Sequence, residues 1–562
     1  MISEKNYKNK RIPITKMKSA RIFAIIGVVA MATFAIACTP DQPDVKPHKP
    51  KPEVVKPDVE DPLLPAAGPE EPFTFVTNAT SGASSWTYGA PPKQSYYRPI
   101  EVEISTTDKP KASRSWKKIK TRVLANLVGF TPDETIETYK EKTNKYGSSL
   151  ELPRQAATGR FYVTKIGQRW WLVDPEGYLH HQRAVTSLRY GSSARNATAF
   201  QNRFGGDDAL WIATTQRELA SVGIHGTGAF CTDTYQKIQA HNAAHPDAPL
   251  MLCPSFGFIG AAAKALDNTN LNSTNAKIGA VLHPNWETWV KDYAKTTLAN
   301  FIGDPNVVGI FSDNEIPFGG SSNGRENYIL YKLLNLPADH FGHKAAQEWV
   351  DKNYPQMAPD YSNMWWSVNL NFTQFLAEKY YKGVSQAIKA ADPQMLYLGT
   401  RLHGEYKTEP VVTAAGKYCD VVSINYYGNW TPEIHVNGRV SEWEKWSNKP
   451  FLVTEFYTKG INDSDLNNES GAGFAVKNQA ARAYAYQNFT LGLLQATNCV
   501  GWHWFKYQDD DGTDNSSKPA NKGLYDNSYM MYPYLGRYMK NINIHAYDLI
   551  EFFDNLGEAE GK

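Results

Sequence analysis

Cysteine is scarce in this chain: five in 562 residues, at Cys38, Cys231, Cys253, Cys419 and Cys499. That excludes a small disulfide-built scaffold, and the four after Cys38 lack the paired spacing of a zinc site. Three of those four lie in or beside apolar, strand-like runs and read as small core residues. One disulfide, Cys231 with Cys253, stays open on sequence alone. An excess of one charge sign is missing as well: 59 Lys and Arg against 57 Asp and Glu leave +2. Nothing therefore points to nucleic acid as a partner. No Gly-rich phosphate loop and no serine nucleophile elbow joining a strand to a helix are read in the chain. No cofactor or metal is expected. An acidic stretch, Asp509-Asp510-Asp511-Gly512, reads as a solvated loop, with calcium binding as the less favoured alternative.

Long hydrophobic runs are also missing. The one extended apolar segment, Ile22 to Ala37, is 16 residues, short for a membrane span. It follows a basic stretch (Lys5, Lys8, Lys10, Arg11, Lys16, Lys18, Arg21), the arrangement of a signal peptide over residues 1–37. Its end, Ala35-Ile36-Ala37-Cys38, resembles a bacterial lipobox. The resemblance implies lipidation of Cys38, secretion across the inner membrane and a lipid anchor in the outer membrane. Residues 38–72 are rich in Pro, Lys, Asp and Glu and cannot form a core; they read as an extended tether.

What the chain has in quantity is aromatic residues: 15 Trp, 32 Tyr and 24 Phe. Their flat apolar faces and polar edges suit sugar-binding clefts, although large cores use them too. It also has two stretches of the same construction. Val307 to Phe311 is an apolar run that ends in Ser312-Asp313-Asn314-Glu315, and Phe451-Leu452-Val453-Thr454 ends in Glu455. Each reads as a buried strand delivering a glutamate to its C-terminal end. Glycosidic bond cleavage needs a carboxylic acid to protonate the leaving oxygen and a second carboxylate to attack the sugar or activate water.

Residues 73–160 read as a small accessory region with strands at Phe73–Val76 and Ile100–Ile104 and helical stretches over 115–128 and 132–146. From 161 to 550 the pattern alternates strand and helix. A hairpin is expected over Arg160–Val163, Trp170–Val173 and Asp174–Gly177. Eight strand candidates follow, at 180–188, 224–230, 250–257, 307–314, 395–402, 420–427, 451–457 and 499–506. Amphipathic stretches such as 208–221, 286–302, 366–390 and 476–496 separate most of them. The expected fold is α/β, a (β/α)8 barrel with its active site at the C-terminal ends of the strands. Glu315 then ends the fourth strand and Glu455 the seventh. The insertion after the fourth strand, which carries Trp365 and Trp366, would build a cleft wall.

An Asn-Glu ending the fourth strand and a Glu ending the seventh resemble the clan A glycoside hydrolases. The resemblance implies that Glu315 is the acid/base, Glu455 the nucleophile, and that Asn314 bonds the sugar 2-hydroxyl. It implies a tyrosine beside the nucleophile, Tyr427 or else Tyr426, and a strand-eight aromatic flooring the site, Trp504 or else Trp502. His403, in Arg401-Leu402-His403-Gly404, stands where it can contact substrate, and Arg183 is a candidate to reach the nucleophile carboxylate. Within the clan, Trp170-Trp171-Leu172-Val173-Asp174-Pro175-Glu176-Gly177 followed by Phe311-Ser312-Asp313-Asn314-Glu315 is most similar to the family 50 β-agarases. The expected substrate is a β-linked galactan such as agarose, as polysaccharide or oligosaccharide. β-Galactosidase, β-mannanase or β-glucanase action are the alternatives within that chemistry, and a non-catalytic glycan-binding lipoprotein is the alternative outside it.

Overall fold

In a computed structural model, the chain is described at residues 64–72, 95–105, 114–267, 269–357, 364–435, 438–464, 466, 468, 471–512 and 519–556. Cys38, the expected signal peptide, most of the tether and the strand expected at Phe73–Val76 lie outside them.

The expected hairpin forms. Tyr162–Ile166 pairs antiparallel with Arg169–Val173, Thr164 opposite Trp171, and Leu179–His180 adds a third strand. Beyond it the protein is mixed α/β. Six strands make one parallel sheet in the order Met251–Leu252, Gly226–Thr227, Gln182–Val185, Cys499–Trp504, Phe451–Glu455, Val422–Asn425. Ser255–Phe256 pairs in parallel with Phe311–Ser312. Single parallel bridges join Leu252 to Val307, Ile310 to Tyr397 and Leu402 to Ile424. The expected strand at 395–402 is reduced to two of those bridge residues.

The strands are apolar on both faces, as parallel strands covered on both sides must be. One face of the strand set contributes Met251, Val308, Leu396, Val421, Leu452 and Val500 to a single buried cluster. The other packs residues such as Val422, Phe451, Val453 and Trp502 into the large core shared with the helices. Those helices include Asp208–Ser221, Trp286–Thr297, Trp366–Ala391, Glu409–Tyr418, Arg439–Ser447 and Gln479–Gln495. Asp207 and Asn478 cap two of them, each accepting backbone N–H groups of the first turn.

The segment before residue 160 differs from expectation. The helix expected over 115–128 is not formed beyond a single 3-10 turn at Leu124–Asn126: Lys117–Thr121 is a strand, with Ile119 and Thr121 inward and Lys118 and Lys120 outward. That period of two overrides helix propensity. The helix expected over 132–146 is shortened to Ile136–Lys142, started by a capping box at Thr135 and Thr138. Ile100–Ser105 and Lys117–Thr121 are joined in one four-stranded sheet with Thr458–Gly460 and Phe474–Val476, both contributed by the excursion after Glu455. Cys231, Cys253, Cys419 and Cys499 are buried free thiols, so the disulfide left open above is not formed. Among the described residues no helix is long and apolar enough to cross a membrane.

Candidate active site

The Phe451–Glu455 strand is buried throughout, so Glu455 reaches its C-terminal end as a carboxylate only 6% exposed. A buried carboxylate must be hydrogen-bonded or protonated. Arg401 Nη2 donates to its Oε1 at 2.5 Å, and Tyr427 OH donates to its Oε2 at 2.9 Å. Burial raises the Glu455 pKa, the Arg401 cation opposes that, and the nearby Glu315 charge adds to it. The two glutamates, far apart in sequence, therefore share one electrostatic site.

Asn425 links them. Its Nδ2 donates to Glu315 Oε1 at 2.7 Å and lies 3.4 Å from Asn314 Oδ1, while its Oδ1 accepts from Thr454 Oγ1 at 2.8 Å. A register shift between Ile424 and Asn425 sets Asn425 opposite Glu455. Such irregularities re-aim side chains next to active sites.

Glu315 is positioned by an unusual backbone. Asp313 and Glu315 both have left-handed φ, +62° and +54°. Residues other than glycine rarely adopt this region, and it is held only where the surroundings enforce it. Here Glu315 N–H donates to Thr400 O. The Asp313 carboxylate accepts Ile259 N–H at the start of helix Phe258–Leu266 and the Tyr380 hydroxyl. Burial pushes Asp313 up to about 6, against the pull of those bonds. Asn314 remains exposed and Glu315 half-buried, so both face open space.

Of the other expected site residues, Tyr427 and His403 come together here, edge to face at 5.4 Å. Tyr426 does not: it points behind the strand, packs on Trp443 and Phe489, and its OH accepts Glu433 N–H. Trp502 and Trp504 do not floor the site either. Trp502 donates to Tyr486 OH on helix Gln479–Gln495 and Trp504 to Lys522 O, each about 1% exposed. The aromatic beyond that strand end is Phe505, tilted against Tyr457, which in turn meets Tyr427. Arg183 is also elsewhere, donating to Gly223 O and the Tyr139 hydroxyl.

Two residues that sequence reasoning missed hold the centre together, Arg401 and Asn425. Arg401 stands in the stretch quoted above for His403, two residues before it, and Asn425 lies in the strand expected at 420–427, two residues before Tyr427. Arg401 lies over the Phe230 ring at 4.5 Å and has φ +56°. The acidic stretch is not a solvated loop. Asp510 is ion-paired with Lys506 and Lys522, and Asp509 accepts from Asn521, Gly523 N–H and Tyr532. No group of three or more metal-ligating side chains occurs among the described residues.

The fold recurs in a protein of known structure. The crystal structure of BpGH50 matches with a TM-score of 0.76 at 36% identity, covering 87% of this chain and 100% of that one. The chain belongs to the same family as BpGH50. An agarase of known structure, AgWH50C, shares the fold at a TM-score of 0.59 and 21% identity, over 73% of this chain and 66% of that one. β-Agarase B of Vibrio sp. (strain JT0107) is 27% identical over 245 residues, 37% of this chain. The match spans 24% of that relative's length, about a quarter. No family model matches the chain.

Proposed function

We propose that this member of the BpGH50 family is a retaining glycoside hydrolase that cleaves a β-linked galactan, agarose or a related algal glycan, by double displacement. The observation that carries the reading is the buried Glu455 carboxylate, held by Arg401 and Tyr427 beside Glu315. Glu455 attacks the anomeric carbon as the glycosidic C–O bond breaks, and the Glu315 proton passes to the leaving oxygen. Glu315 then removes a proton from water, which displaces Glu455 and releases the sugar. Arg401 and Tyr427 orient the attacking carboxylate and keep it anionic. Asn425 orients Glu315, and Asn314 faces the sugar. His403 and Tyr427 form one wall.

The galactan reading is supported by the resemblance to β-agarase B, an agarase by name. A closed (β/α)8 barrel is supported by the six parallel strands and the three parallel bridges that join the remaining two strand runs to them. Lipidation of Cys38 and an outer-membrane anchor rest on the lipobox-like Ala35-Ile36-Ala37-Cys38; Cys38→Ala should move the protein out of the membrane fraction, and unchanged fractionation contradicts the anchor. The activity is tested by product analysis on agarose, porphyran, mannan and β-glucan side by side. Oligosaccharides from a galactan, and none with Glu455→Gln, support the reading. Binding to a polymer with no product from any would replace it with a glycan-binding role.

A further inference from the structure

The Arg401 guanidinium is fully buried, yet only one of its three nitrogens is hydrogen-bonded. Nη2 donates to Glu455 Oε1 at 2.5 Å and to the Thr454 carbonyl at 3.3 Å. Nε and Nη1, both buried, have no hydrogen-bond partner among the described residues. A buried cation with unfilled donors is costly unless something else holds it. Here two phenyl rings do. The guanidinium carbon lies 4.5 Å from the centroid of Phe230 and 5.7 Å from that of Phe311. Both distances are those of a cation–π contact, which is strongest where water is excluded.

The two rings differ. Phe311 belongs to the strand Phe311–Ser312, is fully buried and meets His503 edge to face at 6.0 Å. Burial and the Arg401 charge lower the His503 pKa to about 3, so His503 adds no second cation there. Phe230 stands beyond the end of the strand Gly226–Thr227 and is only half-buried. Its backbone has φ +66°, and its N–H donates to Ser255 Oγ at 3.2 Å. Phenylalanine rarely adopts this region, and it is held there only where the surroundings enforce it. Arg401 is itself left-handed, at φ +56°, with its N–H donating to Ser423 Oγ. Two unusual turns after separate strand runs thus converge on one contact between ring and cation.

We propose that Phe230 is a positioning residue for the nucleophile. Its ring face holds the Arg401 guanidinium where Nη2 meets Glu455 Oε1, and so keeps that carboxylate aimed and anionic. Calling Glu455 the nucleophile rests on the hydrolase reading above; the order of ring, cation and carboxylate does not. Glu455 faces Arg401 and Tyr427, which favour its anion, and Glu315, which opposes it. Arg401 faces the neutral His503 as well. Phe230 acts on the first of these influences, through Arg401.

The test compares kcat/KM against pH on one galactan oligosaccharide for the native protein, Phe230→Leu, Phe230→Tyr, Arg401→Met and the double variant Phe230→Leu with Arg401→Met. Leucine keeps apolar bulk without a ring face; tyrosine keeps the face. Phe230→Leu should lower the plateau about tenfold, mainly through kcat, the worth of one desolvated cation–π contact. It should also move the acid limb to higher pH, part of the way to that of Arg401→Met. Phe230→Tyr should stay near the native profile. In the double variant Phe230→Leu should add little, because the contact it removes is already gone. An acid limb that moves with Arg401→Met but not with Phe230→Leu overturns the inference while the hydrolase reading stands. So does a loss confined to KM, or two losses that multiply in the double variant.

If no glycan is turned over, the hydrolase reading falls and urea unfolding against pH decides the inference. The Glu455 pKa is raised in the folded protein, so stability relative to Glu455→Gln falls as pH rises and levels off above that pKa. Phe230→Leu, introduced into both proteins, should move the levelling point to higher pH; an unmoved point overturns the role assigned to Phe230.

Discussion

Glu455 has two donors on its carboxylate, Arg401 on one oxygen and Tyr427 on the other, and little water. Its charge state is therefore set by a contest between burial, which favours the protonated form, and Arg401, which favours the anion. Replacing Arg401 by Met removes the cation that most favours the Glu455 anion, so the Glu455 pKa must rise further. The anion needed for attack then appears only at higher pH, and the acid limb of kcat/KM should move up in pH relative to the native protein, with a lower plateau. A pH–rate profile on one galactan checks this; an acid limb in its native place would show that Glu455 does not govern it. At this scale the sequence revealed the carboxylates, because each breaks an apolar run at its end. It did not reveal Arg401, which sits within such a run and reads like any charge near a strand end. Trp502 and Trp504 misled for a related reason: alternation along a strand says that they share a face, not which face it is.

At the scale of elements, the strand ends carry most of the unusual backbone. Ser187, Phe230, Asp313, Glu315 and Arg401 all have positive φ and all follow parallel-strand runs. Nothing in their side chains announces this, since none is glycine, so the turns that aim the site were not legible. The long helices were, because a periodic apolar stripe over a dozen or more residues has few other solutions. The loop after Cys499–Trp504 shows the opposite failure. Three successive aspartates suggested solvent, yet Asp509 and Asp510 are buried in paired networks. Burial raises Asp509 from 3.8 to about 6, against the nearby Arg482 and its hydrogen bonds. A carboxyl with a raised native pKa binds its proton more tightly when folded. The resulting stability is complete below about 3.8 and is lost as pH rises through 6. The loss is about 2.4 kcal/mol between pH 4 and 7, at ~1.4 kcal/mol per unit. Asp509→Asn stays neutral throughout, so its stability relative to the native protein should climb by roughly that amount over the same range. Urea unfolding at pH 4, 5, 6 and 7 measures it; parallel stability curves would contradict the assignment.

Over the whole molecule, the order of strands and helices from 161 onward could be read from pattern, because each parallel strand is a short apolar run and each helix an amphipathic one. The excursion after Glu455 could not. Thr458–Gly460 and Phe474–Val476 are three residues each, too short for a period, and they become strands only by pairing with each other and, through Phe474–Val476, with Ile100–Ser105. Residues before 160 are bound to the centre in other ways: Tyr139 takes the Arg183 guanidinium on its hydroxyl, and Asn488 and Gln487 of helix Gln479–Gln495 accept Arg122 and Leu124 N–H. The central claim is double displacement: if Glu455 attacks the anomeric carbon from the face opposite the leaving oxygen while Glu315 protonates that oxygen, and water deprotonated by Glu315 then displaces Glu455, two inversions leave the anomeric configuration unchanged. The most direct measurement is the anomeric configuration of the first product, followed by proton NMR during hydrolysis of a β-galactan before mutarotation. Double displacement gives the β anomer first; an α anomer as the initial product would contradict it.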